Sequence, residues 1–470
     1  MWEGLVRFAA MPGWLAALDD PARVEAALVP LVPGLRSAEV GGVRLKSARW
    51  TARCTLAVAG QEHTARLQAT IVPPGHGAPG SVAAPTVAFG ADGWRCWVPE
   101  LRVELAMEAP PEAGLPALAL LTDPLRARGL LEEAIRTGAP AYRDLRIRSC
   151  TPRVMRYSPG SRCTVLYQLE LADESAAAGW PQVVVAKTYH RGDKGRTAWQ
   201  GMQALWRTPL ATSGTVAIAE PLAWLPELNI LVQGPIRQER TLKQLLIDTL
   251  ADANAAGDGA QAARAAEELR GYLAKTAAGL VELHRCGAPS TQRVTWHDEL
   301  DEARQVLDRL TERLPALDGA ADPFLQEAER LSARVPADPA VPAHRSFRPA
   351  QVLLNHGQIG FIDFDGFCHA EPALDVALFC ATVRDLAMGV LPPDTPLRAR
   401  LARVDELCEE FLACYQALAP ISRERVALWE ALDLFTNVLH SWTKVTPARL
   451  AHAVALLRHH TATLAALTRV

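Results

Sequence analysis

The chain has 470 residues, 49% of them apolar, and its 49 basic against 52 acidic side chains leave a formal net charge of −3. Such a length supports two or three folded domains, and balanced charge offers no polyanion footprint, so no nucleic acid partner is expected. No apolar run reaches the roughly 18 residues a membrane span needs, and the early "FAAMPGWLAAL" is broken by Pro12 and Gly13 without a clear cleavage site, so no membrane partner and a soluble, cytoplasmic protein are expected. The nine cysteines lie far apart and include no CxxC pair, which excludes a disulfide framework and a zinc site. Heavy use of Ala, Arg, Pro and Leu suggests a GC-rich bacterial genome.

Residues 1–145 open with a helix-like segment, "DDPARVEAALVPLV". The alternating patterns "CTLAVAG" and "HTARLQATIV" follow, then the Pro/Gly-rich connection "PPGHGAPGSVAAP", which together predict an extra α/β region. From Asp144 to Gln233 strands dominate. "RVMRYSPGSRCTVLYQLEL" reads as two strands around a Pro-Gly turn, and "QVVVAKTYH" as a buried strand ending in Lys187. A short helix is predicted between Lys194 and Trp206, and "LNILVQGPI" forms one more, hinge-like strand. After Arg240 the pattern turns helical, as in "AARAAEELRGYLAKTAAGLVELHRCG", and stays so to the end, interrupted by a strand pair only at 351–364. The outline is α+β and two-lobed, with segments 1–145, 146–233 (small β-rich lobe) and 234–470 (helical lobe). "RWTARCTLAV" at Arg49 echoes "RYSPGSRCTVLY" at Arg156 in its Arg-Cys-Thr core, so residues 1–145 are a candidate repeat of the β-rich lobe.

The order of features is a Pro-Gly turn, the strand lysine Lys187, a hinge, helices, "HRSFRPAQVLL", "IGFIDFDG" and "EPALDVALF". In that order residues 146–470 resemble the protein-kinase-like superfamily, and within it the aminoglycoside phosphotransferase and choline kinase type of small-molecule kinase. The resemblance implies ATP (or another nucleoside triphosphate) and Mg²⁺ as cofactors. It also implies transfer of the γ-phosphoryl group to a hydroxyl, a reaction that needs positioning and charge more than covalent chemistry. It gives Lys187, Gly160 and Ser161 of the turn, and Gln233 of the hinge to the nucleotide. Asp363 and Gln351 go to the metal, Ser346, Asp365 and Arg348 to the catalytic centre, and Asp375 to bracing the catalytic loop beside a packed His344. By themselves the residues also read more plainly: Lys187 as a solvated strand-end lysine, and "DFDG" as a turn whose aspartates cap backbone amides.

Two departures bear on activity. Where the family has an aspartate that orients the substrate hydroxyl, this chain has Ser346, a neutral hydroxyl that cannot itself serve as a base near pH 7. No acid lies between Lys194 and Gly214 to pair with Lys187, which leaves Gln200 or Gln203 as a neutral substitute. Two functions stay open: an atypical phosphotransferase acting on a small-molecule or peptide hydroxyl, with Asp365 orienting the acceptor, or an inactive pseudokinase that binds or scaffolds. Residues 1–145 are a candidate surface for a protein partner.

Overall fold

The computed structural model describes the chain apart from residues 1–3, 47–48, 59–60, 70–93, 108–114, 159–160, 173–178, 191, 253–258, 313, 393 and 468–470. The Pro/Gly-rich connection falls outside the described residues. In chain order the first elements are α1 (Gly13–Ala16), α2 (Pro21–Leu28), β1 (Leu35–Lys46), β2 (Arg49–Val58), β3 (Gln61–Ala69), β4 (Arg95–Val98), β5 (Val103–Met107), α3 (Leu118–Thr122) and α4 (Pro124–Gly138). Next come β6 (Ile147–Ser158), β7 (Arg162–Leu171), β8 (Val183–Tyr189), α5 (Gly192–Trp206), β9 (Ala217–Ile218), β10 (Pro221–Leu225), β11 (Ile230–Gln233) and β12 (Arg240–Thr241). The helical part holds α6 (Leu242–Asp252), α7 (Gly259–Arg285), α8 (Trp296–Thr311), α9 (Asp322–Arg334), β13 (Val341–Ala343), β14 (Val352–Asn355), β15 (Gln358–Phe361) and β16 (Cys368–Ala370). It ends with α10 (Pro372–Val390), α11 (Leu397–Gln416), α12 (Arg423–Thr443) and α13 (Pro447–Leu467).

These elements group into two compact units. The first comprises Met1–Ala109, Trp296–Pro336 and Ala427–Val470. Its antiparallel sheet runs β1-β2-β3-β5-β4. Helix α2 starts where the pattern predicts, because the Asp20 carboxylate accepts from Ala22 N (3.1 Å) and Arg23 N (3.3 Å) while Pro21 supplies a fixed φ at the first helical position. The buried Phe8 packs edge-on against Phe435 and Trp442, and Trp442 Nε1 donates to the Phe8 carbonyl at 3.0 Å.

The second unit comprises Pro110–Thr295 and Ala337–Val426 and contains every residue the sequence marks for chemistry that the structure describes. Its strand-rich lobe is a five-stranded antiparallel sheet ordered β10-β11-β8-β7-β6. Helix α4, capped by Asp123 through Leu125 N and Arg126 N, lies beneath it. Leu131 and Ile135 of the helix share a core with Val165, Tyr167, Val184 and Ala186 of the sheet. Because strand residues alternate faces, covering that face leaves Lys187 and Tyr189 on the other.

In the helical lobe, α10 is apolar around most of its surface and is buried among its neighbours. Four phenylalanines run through this core: Phe361 against Phe347, Phe347 stacked on Phe379 at 5.6 Å, and Phe379 stacked on Phe411 at 4.1 Å. β14 and β15 form a hairpin whose two-residue turn, His356-Gly357, has φ values of 46° and 80°, as the turn matching the twist of the strands requires. The second unit is thus α+β, with a strand-rich lobe and a helical lobe. One expectation needs correcting: the strand pair at 351–364 is not isolated, since β12 and β9 extend it to four strands and β13 pairs with β16. These additions are two or three residues long, too short for an alternating pattern to register.

Candidate active site

The site begins on β8. Lys187 and Tyr189 share a face by strand alternation, and Arg162, at the start of β7, stands directly across from Tyr189 in the register. Opposite them, β15 leads into Asp363, whose φ of 73° turns the chain into the short turn Phe364–Gly366. A positive φ at a non-glycine residue costs about 1–3 kcal/mol and persists only where surroundings enforce it. Here the turn delivers two carboxylates to one ammonium: Lys187 Nζ donates to Asp363 Oδ1 at 3.0 Å and to Asp365 Oδ1 at 3.1 Å, across 176 and 178 residues of sequence. Tyr189 Oη donates to the same Asp365 oxygen at 3.1 Å, and Arg162 Nη1 stands 3.6 Å from Asp365 Oδ2.

Charge pairing overrides burial in this cluster. Burial alone raises a carboxyl, yet the Lys187 ammonium, with help from Arg162 and His344, holds Asp363 well below the usual carboxylate range. Burial lowers Lys187, but Asp365 and Asp363 reverse that and leave it above its ordinary value. The Tyr189 phenol is pushed well up, first by burial and then by the charge of Asp365. Asp365 therefore accepts from both Lys187 and Tyr189, with the Arg162 guanidinium 3.6 Å away.

The loop around Ser346 is braced from below. Asp375, wholly buried in the first turn of α10 where a helix favours negative charge, accepts from His344 N at 2.6 Å and from His284 Nε2 at 3.2 Å. Tyr415 Oη donates to His284 Nδ1 at 2.7 Å and so fixes that ring. His344 is fully buried, with Nε2 donating to the Ile362 carbonyl at 3.0 Å. Ser346 Oγ lies 3.2 Å from His344 Nδ1 and 3.5 Å from the Asp363 carbonyl, and receives Gln351 Nε2 at 3.3 Å.

A divalent cation finds matching residues here. The Gln351 Oε1 atom is buried without a hydrogen-bond partner, Asp363 is ionised, and Ser346 touches both residues. Two hard oxygen donors of this kind suit a magnesium ion, which takes its remaining ligands from phosphate and water. Among the described residues no three His, Cys, Asp or Glu side chains gather into an all-protein metal cage.

The remaining sequence candidates are placed as follows. Gly160 lies outside the described residues. Ser161, exposed beside it, accepts His190 N through its carbonyl at 2.8 Å. Gln233 is buried at the end of β11, paired with Val185, and Arg348 is exposed, its carbonyl accepting from Gln351 N. The expectation of a glutamine partner for Lys187 is corrected: its hydrogen bonds go to the two aspartates, while Gln200 is exposed and Gln203 half-buried on α5. That helix supports the site by packing instead. A Cβ added at Gly201 would fall 3.0 Å from Phe367 Cβ and Cδ1, so glycine lets α5 approach the segment just past Asp365. Sequence reasoning missed Arg162, Tyr189 and His284. Tyr189 was within reach, being two residues beyond Lys187 and so on the same face of the strand.

Residues 222–403 match the model of the phosphotransferase enzyme family, APH. No curated protein matches the chain. Among solved structures, it is similar to a glucosamine kinase in complex with glucosamine, ADP and inorganic phosphate, at 17% identity and a TM-score of 0.45 over 97% of this chain and 100% of the other. Choline kinase LicA from Streptococcus pneumoniae is 13% identical with a TM-score of 0.42, over 70% of this chain and 98% of its own. The ADP-bound aminoglycoside phosphotransferase APH(2'')-Ib is 14% identical with a TM-score of 0.42, over 69% and 97%.

Proposed function

We propose that the chain is an ATP- and magnesium-dependent phosphotransferase that passes the γ-phosphoryl group to a hydroxyl of a small molecule. The observation that carries this reading is the meeting of the strand lysine Lys187 with Asp363 at 3.0 Å, in a chain whose residues 222–403 match a phosphotransferase family. Lys187 would turn from the aspartates to the nucleotide phosphates, while Asp363 and Gln351 would hold the metal. Bound there, magnesium supplies neutralisation of the charge that develops on the transferred group. Arg348 adds a cation for the γ-phosphate, and Ser161 and Gln233 flank the nucleotide. Asp365 already accepts from Lys187 and Tyr189 and faces Arg162, so its oxygens are engaged. It serves as an anchor rather than as the base.

The pseudokinase reading is favoured by one observation, the hydroxyl of Ser346 where the family has a carboxylate. Calorimetric titration with ATP, with and without Mg²⁺, tests both. Magnesium-dependent binding that is lost in Asp363→Ala supports the nucleotide site, and absence of binding to the wild type overturns it. Turnover that disappears in Lys187→Met excludes the pseudokinase.

Residues 146–233 and 234–470 serve in this reading as nucleotide and acceptor lobes, and 1–145 as a repeat of the former that docks substrate or a protein partner. In support, both five-stranded sheets follow the same order, with the fifth strand inserted between the third and fourth. Thr55 pairs with Thr64 in one sheet as Thr164 pairs with Lys187 in the other, so the repeat carries threonine at the lysine position.

A further inference from the structure

We propose that Ser346 and His344 together replace the missing carboxylate as a proton relay, with Ser346 Oγ taking the proton of the acceptor hydroxyl and His344 Nδ1 taking the proton of Ser346. The inference rests on the phosphotransferase reading and deepens it. Its basis is the hydrogen bonding around one imidazole ring. A carbonyl oxygen can only accept, so the 3.0 Å contact between His344 Nε2 and the Ile362 carbonyl places the ring proton on Nε2. That leaves the Nδ1 lone pair free, and the only proton available to the 3.2 Å contact with Ser346 is the hydroxyl's own. The same hydroxyl also faces the Asp363 carbonyl at 3.5 Å, and the shorter contact favours the ring as its acceptor.

A nucleophile or relay group within hydrogen-bond reach of a base, with the base oriented by a third group, is the arrangement that activates hydroxyls elsewhere in enzymes. Here the third group is the Ile362 carbonyl, and Asp375 fixes the same residue through its backbone N at 2.6 Å. The rings of Phe347 and Phe364 flank the imidazole at centroid distances of 5.6 and 4.6 Å and hold its plane. Ser346 Oγ receives Gln351 Nε2 on one lone pair and keeps the other for an incoming hydroxyl. Burial keeps His344 neutral at rest, and the charged groups facing the ring, Asp375 and Asp363, both favour the imidazolium that the relay creates.

The step balances without any further reactant. The acceptor oxygen bonds phosphorus while the bond from phosphorus to the leaving nucleoside diphosphate breaks, and the diphosphate keeps that electron pair. The acceptor's proton moves to Ser346 Oγ as the Ser346 proton moves to His344 Nδ1. The resulting imidazolium donates to both Ser346 and the Ile362 carbonyl, and the proton returns to solvent through the same half-buried hydroxyl once product leaves. Ser346 is the residue that touches substrate, whereas His344 acts through it as a positioning residue and proton store.

Hydrolysis of MgATP, with water as the acceptor, tests the relay alongside calorimetric MgATP affinity. Ser346→Ala is expected to lower turnover about 10²-fold with affinity kept. His344→Gln should lower turnover equally, and the double variant no further, because the two act in series. Ser346→Asp restores a direct base, so turnover should recover and become insensitive to His344→Gln. A packing role for His344 alone would not produce that pattern. Wild-type turnover in Ser346→Ala, additive losses in the double variant, or MgATP binding by the wild type without hydrolysis would each overturn the relay while leaving the nucleotide site standing. Failure of the wild type to bind MgATP overturns the phosphotransferase reading and the relay with it. Should the buried His344→Gln fail to fold, the half-buried Ser346→Ala and Ser346→Asp pair still decides.

Discussion

Replacing Lys187 by methionine keeps the apolar stem and removes the ammonium that two carboxylates share. The side chains of Lys187, Asp363 and Asp365 are 13%, 25% and 22% exposed, so water screens the pair only partly. At an effective dielectric of about 20, each contact near 3 Å is worth roughly 5 kcal/mol of gross attraction. Most of it is offset by desolvation, and removing one partner of a buried pair typically costs about 3–5 kcal/mol because the other charge is left uncompensated. Partial wetting, and Arg162 remaining 3.6 Å from Asp365, put the expected loss near the lower end, about 3 kcal/mol at pH 7.5. The pH dependence follows from Asp363, whose carboxyl is depressed in the folded protein. Its stabilisation is present above the unfolded-state value of about 3.9 and is lost as pH falls toward the folded value, so the penalty of Lys187→Met shrinks in acid. Native-state hydrogen exchange of β8 and of residues 363–366 reads this opening locally, which matters in a chain of two units that need not unfold together. Adding Asp363→Asn and Asp365→Asn should recover most of the loss. A penalty below about 1 kcal/mol, or the same penalty in the doubly neutralised background, would refute the charge argument.

Asp375→Ala leaves His344 N and His284 Nε2 without their buried acceptor and should cost about 3 kcal/mol in urea unfolding; a loss below 1 kcal/mol would show that the loop is held by other means. His344 is depressed by burial, so the stability from keeping it neutral is present above about pH 6.5 and is lost as pH falls. The penalty of His344→Gln should accordingly be smaller at pH 5 than at pH 7.5, by up to about 1.4 kcal/mol per pH unit, and an unchanged penalty would contradict the neutral assignment. Gly201→Val would drive a side chain into Phe367; we expect about 1–3 kcal/mol of destabilisation together with weaker MgATP binding, and unaltered binding would separate α5 from the site. Asp123→Ala removes the cap of α4 and should cost about 1 kcal/mol without changing nucleotide affinity.

The sequence by itself determined what depends on short spacing. Alternation in "VVVAKTY" sets Lys187 and Tyr189 on one face of a strand, the Asp-Pro pair starts α2, and the two segments around Ser346 and Asp363 carry the family pattern because each motif is contiguous. Lys187, with no acid between Lys194 and Gly214, reads from sequence as a lysine lacking its partner. Only the tertiary structure supplied the partners, since the aspartates lie 176 and 178 residues away and nothing local encodes which distant turn a strand will face. The same limit hid the grouping of residues 296–336 and 427–470 with the N-terminal sheet, because an amphipathic helix specifies that one face is covered but not by what. Ser346 and His344 are two residues apart, yet their contact depended on Arg345 adopting a φ of 63°. Periodicity fixes which side chains share a face, whereas packing across the lobe decides which charges meet and where a proton can go.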